Sequence, residues 1–123
     1  MSLELKVRNV SDVTVVDVSG KVTLGEGATT LSNTIRQLAV GGQKKLLLNL
    51  RSLTHLDSAG IGALVSSFAS VRNSGGVLKL VNLSDRVKDL LLITKLYTVF
   101  EVHNDEVTAV ESFHHAEASA ARG

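Results

Sequence analysis

Two adjacent side chains, Asp57 and Ser58, open the segment Asp57-Ser58-Ala59-Gly60-Ile61-Gly62. The segment follows the apolar run Leu46 to Leu50 and leads into the amphipathic run Ile61 to Val71. That order reads as buried strand, short loop, helix. Ser58 is therefore placed at a helix mouth, where free backbone N–H groups favour negative charge. A hydroxyl there can cap the helix, be acylated or be phosphorylated, and a phosphate would meet a site suited to it.

Each chemistry makes its own demands. A serine nucleophile needs a base within hydrogen-bond reach and a third group to orient that base. His55, Asp57 and Ser58 lie within four residues, but neighbouring side chains on one strand-to-loop segment diverge. The glycine–x–serine–x–glycine elbow is also absent, since Leu56 precedes Asp57 where the first glycine would stand. Dinucleotide binding fares no better. Gly60-x-Gly62 meets Val65 where a third glycine is required, Gly25-x-Gly27 runs on to Thr30, and no Gly-Lys-Ser/Thr exists for a phosphate loop. The bland reading of Gly60 and Gly62 is structural: they let the first helical turn approach neighbouring backbone. His55, His103, His114 and His115 show no ligand spacing with carboxylates. No metal and no cofactor are expected, and no catalytic residue is assigned.

Capping and phosphorylation remain. Asp57 or Ser58 as a plain cap is worth about 1 kcal/mol, and composition alone leaves the two readings near even. Two features favour the switch. Asp and Ser together are more polar groups than one cap needs, and Ala59, Gly60 and Gly62 keep the surroundings small enough for another protein's active site. A phosphate would add about −1.5 to −2 charge beside Asp57.

The remainder of the chain supplies the scaffold. At 123 residues it suits one domain, expected over 1–113, with a frayed, alanine-rich tail over 114–123. It is 44% hydrophobic and 20% charged with net charge +1, which gives no basic footprint for nucleic acid. Only Phe68, Phe100, Phe113 and Tyr97 are aromatic, so the core must be aliphatic. The absence of cysteine excludes disulfides and thiolate chemistry. No apolar run approaches the roughly 20 residues of a membrane span. The start, Met-Ser-Leu-Glu-Leu-Lys-Val, lacks a signal-peptide layout, so a cytoplasmic protein without direct membrane contact is expected.

Leu3, Leu5 and Val7 alternate with Glu4, Lys6 and Arg8, predicting a strand over 3–8 with one wet face. Ser11-Asp12 is a turn signal, and Val13 to Val18 a second strand paired antiparallel with the first. Gly20 to Gly27 reads as a loop. A helix follows from about Ala28, with Leu31, Ile35, Leu38 and Ala39 on one stripe, and Gly41-Gly42 ends it. Leu46 to Leu50 has the continuous apolar character of a parallel strand. Ile61, Leu64, Val65, Phe68 and Val71 mark the next helix, Val77 to Val81 a strand, and Ser84 caps a helix with Val87, Leu90, Leu91 and Leu92 inward. Phe100 to Val102 reads as a short edge strand. Asn104 is the candidate cap of a last helix facing inward through Val107, Val110 and Phe113. The order β-β-α-β-α-β-α-β-α predicts an α/β fold: a mixed sheet, with an N-terminal antiparallel hairpin and then parallel strands, packed with about four helices.

With those residues in place the chain resembles the STAS family, and within it the bacterial anti-sigma-factor antagonists. The resemblance rests on Asp57-Ser58-Ala59-Gly60-Ile61-Gly62 after the strand Leu46 to Leu50, on Val13 to Lys21 and on Gly75 to Asn82, and spans about residues 3–113. It implies a non-enzymatic bacterial phosphoprotein that regulates transcription. Such a protein binds an anti-sigma factor that is also a serine kinase, and so releases a sigma factor. The kinase phosphorylates the serine matching Ser58 and the complex breaks; a phosphoserine phosphatase restores it. The implied contact surface is Lys21, Val22, Thr23 and Leu24 with Asp57, Ser58 and Ala59. The loop Thr23 to Gly27 is more glycine-rich than the family's usual polar segment. The alternative within the family is a non-switching scaffold subunit of a stressosome or of a lipid-transport ATPase complex, with Ser58 only a cap.

Overall fold

A computed structural model describes residues 2–122, with side chains described as far as His114. Nine elements alternate along it: β1 (Glu4–Val10), β2 (Val13–Val22), α1 (Glu26–Val40), β3 (Lys45–Leu56), α2 (Ser58–Asn73), β4 (Val77–Val81), α3 (Asp85–Ile93), β5 (Val102–His103) and α4 (Glu106–Arg122). The five strands form one sheet in the order β1-β2-β3-β4-β5. β1 is antiparallel to β2 across the Ser11-Asp12 turn, and every later pairing is parallel.

The apolar run of β3 shows why the sheet is covered on both faces. Leu46, Leu48 and Leu50 point to one side, where they join Val16, Val18, Leu31, Ile35, Leu64, Leu80 and Leu91 under α1, α2 and α3. Leu47 points to the other, with Val13, Val15 and Val81 under Ala109, Val110 and Phe113 of α4. All three consecutive leucines are fully buried, so a strand with no polar alternation is what this position requires.

The differences from the sequence-based expectations lie mostly at element ends. β3 continues six residues past Leu50 because β2 continues beside it, after register shifts near Asp17/Ser19 and Gly20/Lys21, up to the pair Val22↔Leu56. The expected loop from Gly20 therefore shrinks to 23–25, and α1 starts at Glu26 rather than Ala28. The edge strand is Val102–His103, whereas Phe100 turns inward and meets Phe68 edge-to-face with ring centroids 5.6 Å apart. Asp105, not Asn104, caps α4: its Oδ1 accepts the Thr108 N–H at 2.8 Å. That register turns Ala109, Val110 and Phe113 to the sheet and leaves Val107 exposed. Leu92 is also exposed, because the inward positions of the short α3 are Val87 and Leu91. The helix α4 runs to Arg122; the frayed tail expected over 114–123 falls almost wholly on residues whose side chains are outside the description.

Candidate functional site

The carboxyl ends of β2 and β3 lie side by side and each feeds a helix, which is the usual place for a site in an α/β sheet. Asp57 is the single residue between β3 and α2, in extended conformation, with its carbonyl already accepting the Ile61 N–H at 2.9 Å. Its Oδ1 accepts the Gly60 N–H at 2.9 Å, which caps α2. Its Oδ2 accepts the Leu24 N–H, also at 2.9 Å, from the loop after β2. These two N–H groups, Leu24 first and Gly60 second, hold the Asp57 carboxyl below the usual carboxylate range, because hydrogen bonds to the charged form favour it.

Capping is thus performed by Asp57, and Ser58 is left over. Ser58 is the first residue of α2 and is exposed. Its hydroxyl makes no hydrogen bond among the described residues. No base is built against it either: the His55 Nδ1 lies 3.0 Å from the Thr54 Oγ1 instead. The group is an available hydroxyl at the positive end of a helix, with no machinery of its own to activate it.

The glycines on either side of Ile61 differ in role. A Cβ on Gly60 would stand 1.9 Å from the Val22 carbonyl oxygen, so Gly60 allows α2 to start against the end of β2. A Cβ on Gly62 would meet nothing within 4 Å; the close approach expected there is not found. Gly62 instead opens onto a groove of about 260 Å³ lined by Ala59 and Gly62 of α2 and by Ala28, Thr29, Ser32 and Asn33 of α1. The α1 residues were not among the sequence candidates. Their signal was the run of small and polar side chains, Ala28, Thr29, Ser32 and Asn33, along the flank of the stripe formed by Leu31, Ile35 and Ala39.

Of the residues expected in the contact surface, Leu24 is 82% exposed and Ser58 is exposed, with Lys21, Thr23, Asp57 and Ala59 partly so. Val22 must be corrected: its side chain is fully buried in the main core, since it alternates with Lys21 at the end of β2. It contributes only its backbone, against Gly60.

The opposite sheet face carries a larger cleft of about 720 Å³, lined by Arg8, Asn49, Arg51, Asn82, Ser84 and Glu106 among others. Its polar groups are largely committed to one another. Arg8 donates to both oxygens of Asp17 at 2.7 and 3.0 Å and also to Glu106, while Asn49 donates to Asp17 at 2.8 Å and Asn82 to Asn49 at 3.1 Å. The histidines are dispersed: His103 pairs with Glu101 at 2.6 Å and His114 with Asp12. His115 falls outside the described side chains. No cluster able to hold a metal ion occurs among the described residues, and no helix among them is long and apolar enough to cross a membrane.

Residues 4–109 match the STAS domain family, nearly the full length of the chain. The chain belongs to the STAS family. Among its relatives, the anti-sigma-B factor antagonist of Bacillus subtilis (strain 168) is 30% identical over 102 residues, spanning 83% of this chain and 92% of the relative. The same fold is seen in the crystal structure of an anti-sigma factor antagonist from Mycobacterium paratuberculosis, with a TM-score of 0.79 and 21% identity over 90% of this chain and 93% of that one. It is seen again in the Bacillus cell fate determinant SpoIIAA in its phosphorylated form, with a TM-score of 0.69 and 16% identity over 89% of this chain and 99% of that one. The STAS match ends at Ala109, so it takes in the hairpin, the parallel strands and α1 to α3 but only the first turn of α4.

Proposed function

We propose that this STAS domain is an anti-sigma-factor antagonist, a non-enzymatic protein switched by phosphorylation of Ser58. The observation that carries the reading is the division of labour at the start of α2. Asp57 satisfies the helix, so the Ser58 hydroxyl is free and exposed rather than spent on a cap. The kinship with the Bacillus subtilis anti-sigma-B factor antagonist supports the partner class. The surface fits a docking role: an apolar knob at Leu24, the serine, and a groove whose small side chains let another protein come close.

In the cycle proposed, the unmodified surface binds an anti-sigma factor and so frees a sigma factor. The anti-sigma factor acts as a serine kinase. The Ser58 oxygen attacks the γ-phosphorus of ATP, the bond from that phosphorus to the β–γ bridging oxygen breaks, ADP leaves, and the hydroxyl proton passes to a base of the kinase. The phosphoserine places a dianion beside the ionised Asp57, on a surface that a partner would otherwise desolvate. An uncompensated charge at such an interface costs about 3 kcal/mol, and the complex separates. A phosphoserine phosphatase returns the protein to the binding form.

The test is co-purification from the native host, followed by mass spectrometry of the partners and of the peptide holding Ser58. An anti-sigma factor should be retained, and incubation with ATP should add one phosphate on Ser58. Ser58→Ala should abolish it without altering the fold, and Ser58→Asp should weaken binding by calorimetry. Phosphate mapped to Ser52 or Ser66, or equal affinity of the Ser58→Asp protein, refutes the switch. Retention only by a stressosome or a transporter ATPase, with no kinase present, would assign the scaffold role instead.

A further inference from the structure

The geometry points to Asp57 as the positioning residue of the docking surface: its carboxylate ties the 23–25 loop to the first turn of α2, so that Leu24 and Ser58 meet a partner as one rigid unit. The inference rests on the docking role proposed above. A helix cap needs one side-chain oxygen, and Asn, Asp and Ser serve about equally well. Asp57 uses two. Oδ1 takes the Gly60 N–H of its own helix, and Oδ2 takes the Leu24 N–H, 33 residues away in sequence. Asn offers a single acceptor oxygen and Ser cannot span both directions, so only a carboxylate of this length fills the position.

The loop needs the tie. It is short, and Gly25 at its end has φ +100 and offers α1 no side-chain cap. Apart from Asp57, the loop backbone is anchored by the Ala28 N–H to the Thr23 carbonyl at 3.0 Å and the Thr29 N–H to the Gly25 carbonyl at 3.2 Å, both internal to the turn into α1. Among the described residues, the Asp57 bond is the hydrogen bond that joins the loop to the start of α2. Gly60 makes it reachable, because any Cβ there would push the start of α2 off the Val22 carbonyl and carry Asp57 away from Leu24.

What the tie holds is an 82% exposed leucine, which packs against little in this chain. A large apolar side chain on a loose loop would lose its freedom on docking, and that loss subtracts from affinity. Fixed beforehand, it does not. Asp57 therefore raises partner affinity through Leu24 rather than through a contact of its own.

Asp57→Asn and Asp57→Ser keep a capping oxygen for Gly60 and lose the Leu24 bond. Both should melt close to the wild type. In the free protein, amide exchange by NMR should show Leu24 opening about tenfold faster, the scale of one charge-assisted hydrogen bond, with α2 protection retained. With the anti-sigma factor retrieved by the wild-type protein as probe, each variant should bind about tenfold more weakly. The decisive readout is the cycle with Leu24→Ala. In that background Asp57→Asn should cost less than about twofold, because the residue it positions has gone. A direct contact of Asp57 with the partner predicts equal losses in both backgrounds, and a plain cap predicts no loss in either. Additive losses, or an unchanged Leu24 amide in both variants, overturn the inference. A wild-type protein that binds no anti-sigma factor would sink the functional reading instead, and Leu24 exchange would then decide this one alone.

Discussion

Where α2 begins, a hydroxyl and a leucine side chain face solvent beside a shallow groove, whereas under α4 charged side chains are tied to one another. Arg8 bridges Asp17 and Glu106, Lys45 and His114 share Asp12, and Lys79, 98% buried in the sheet, rests between Glu101 at 2.8 Å, Ser112 at 2.9 Å and the Phe113 ring. The sheet is common to both. What differs is whether polar and apolar groups are used up inside the chain or left for another molecule. A helix packed over charged strands must satisfy them or lose stability. The docking surface proposed above must instead keep its groups open; among the described residues the Asp57 carboxylate is committed there, to the Gly60 and Leu24 N–H groups, and the Ser58 hydroxyl is not.

The sharpest way to break the contrast is at Gly60. A methyl there would overlap the Val22 carbonyl at 1.9 Å, and backbone cannot rotate away as a side chain can. Gly60→Ala is expected to destabilise by about 3 kcal/mol, lowering Tm by about 10 °C in thermal unfolding. A Tm within about 2 °C of the wild type would show that α2 can slide and that the open surface is not rigidly placed.

Acid should act on the two regions unequally. Among the described residues, Asp12, Asp17, Glu101 and Asp105 are held below their ordinary range on the α4 side, and Asp57 alone at the α2 start. Hydrogen bonds from Lys45 and then His114 bring Asp12 to about 2. The Arg8 guanidinium lowers Asp17. Burial pushes Glu101 up, but Lys79 and His103 outweigh it. The Thr108 N–H leads for Asp105. A carboxylate whose folded pKa is depressed contributes stability that is present above its unfolded pKa, near 4, and lost as pH falls through the folded value. Stability should therefore decline from about pH 4.5 downward, continuing toward about 2 for Asp12. Protection of α4 amides should fall before that of α2 amides in NMR exchange. Asp12→Asn should flatten the lowest part of the profile. Simultaneous loss in both helices would show that the ion pairs do not hold α4 separately.

How far the chain could be read in advance follows the same division. Strand and helix identities were legible because burial leaves a pattern: Leu46-Leu47-Leu48 is a short apolar run set between Gly41-Gly42 and Asp57, typical of a strand covered on both faces, and Leu31, Ile35 and Ala39 recur at the spacing of one helix face. Ends were less legible because neighbours set them. Nothing local extends β3 to Leu56; the ladder with β2 does. Asn104 and Asp105 are both acceptable caps in sequence, and the choice between them rotated Val107 into solvent. At the site, Asp57-Ser58 and its position at a helix start were readable from residue types. The second bond of Asp57 was not, since it depends on a loop 33 residues away. Val22 was misplaced for a related reason: the resemblance carried over Lys21 to Leu24 as a loop, whereas β2 runs through Val22 and strand alternation buries its side chain.

The smallest expected effect separates the two glycines that sequence treats alike. Gly62 lies in α2 with open space where its Cβ would stand, so nothing in the fold requires glycine. Alanine in a helix interior is favoured over glycine by about 1 kcal/mol, and Gly62→Ala should raise Tm by about 3 °C. The same methyl would project into the groove between α1 and α2. If that groove seats a partner, calorimetry should show weaker binding from a more stable protein, two changes of opposite sign at one position. Gly60→Ala would weaken both together. A Gly62→Ala protein that is more stable and binds the anti-sigma factor as tightly as the wild type would remove the groove from the docking surface and leave Leu24 and Ser58 to carry it.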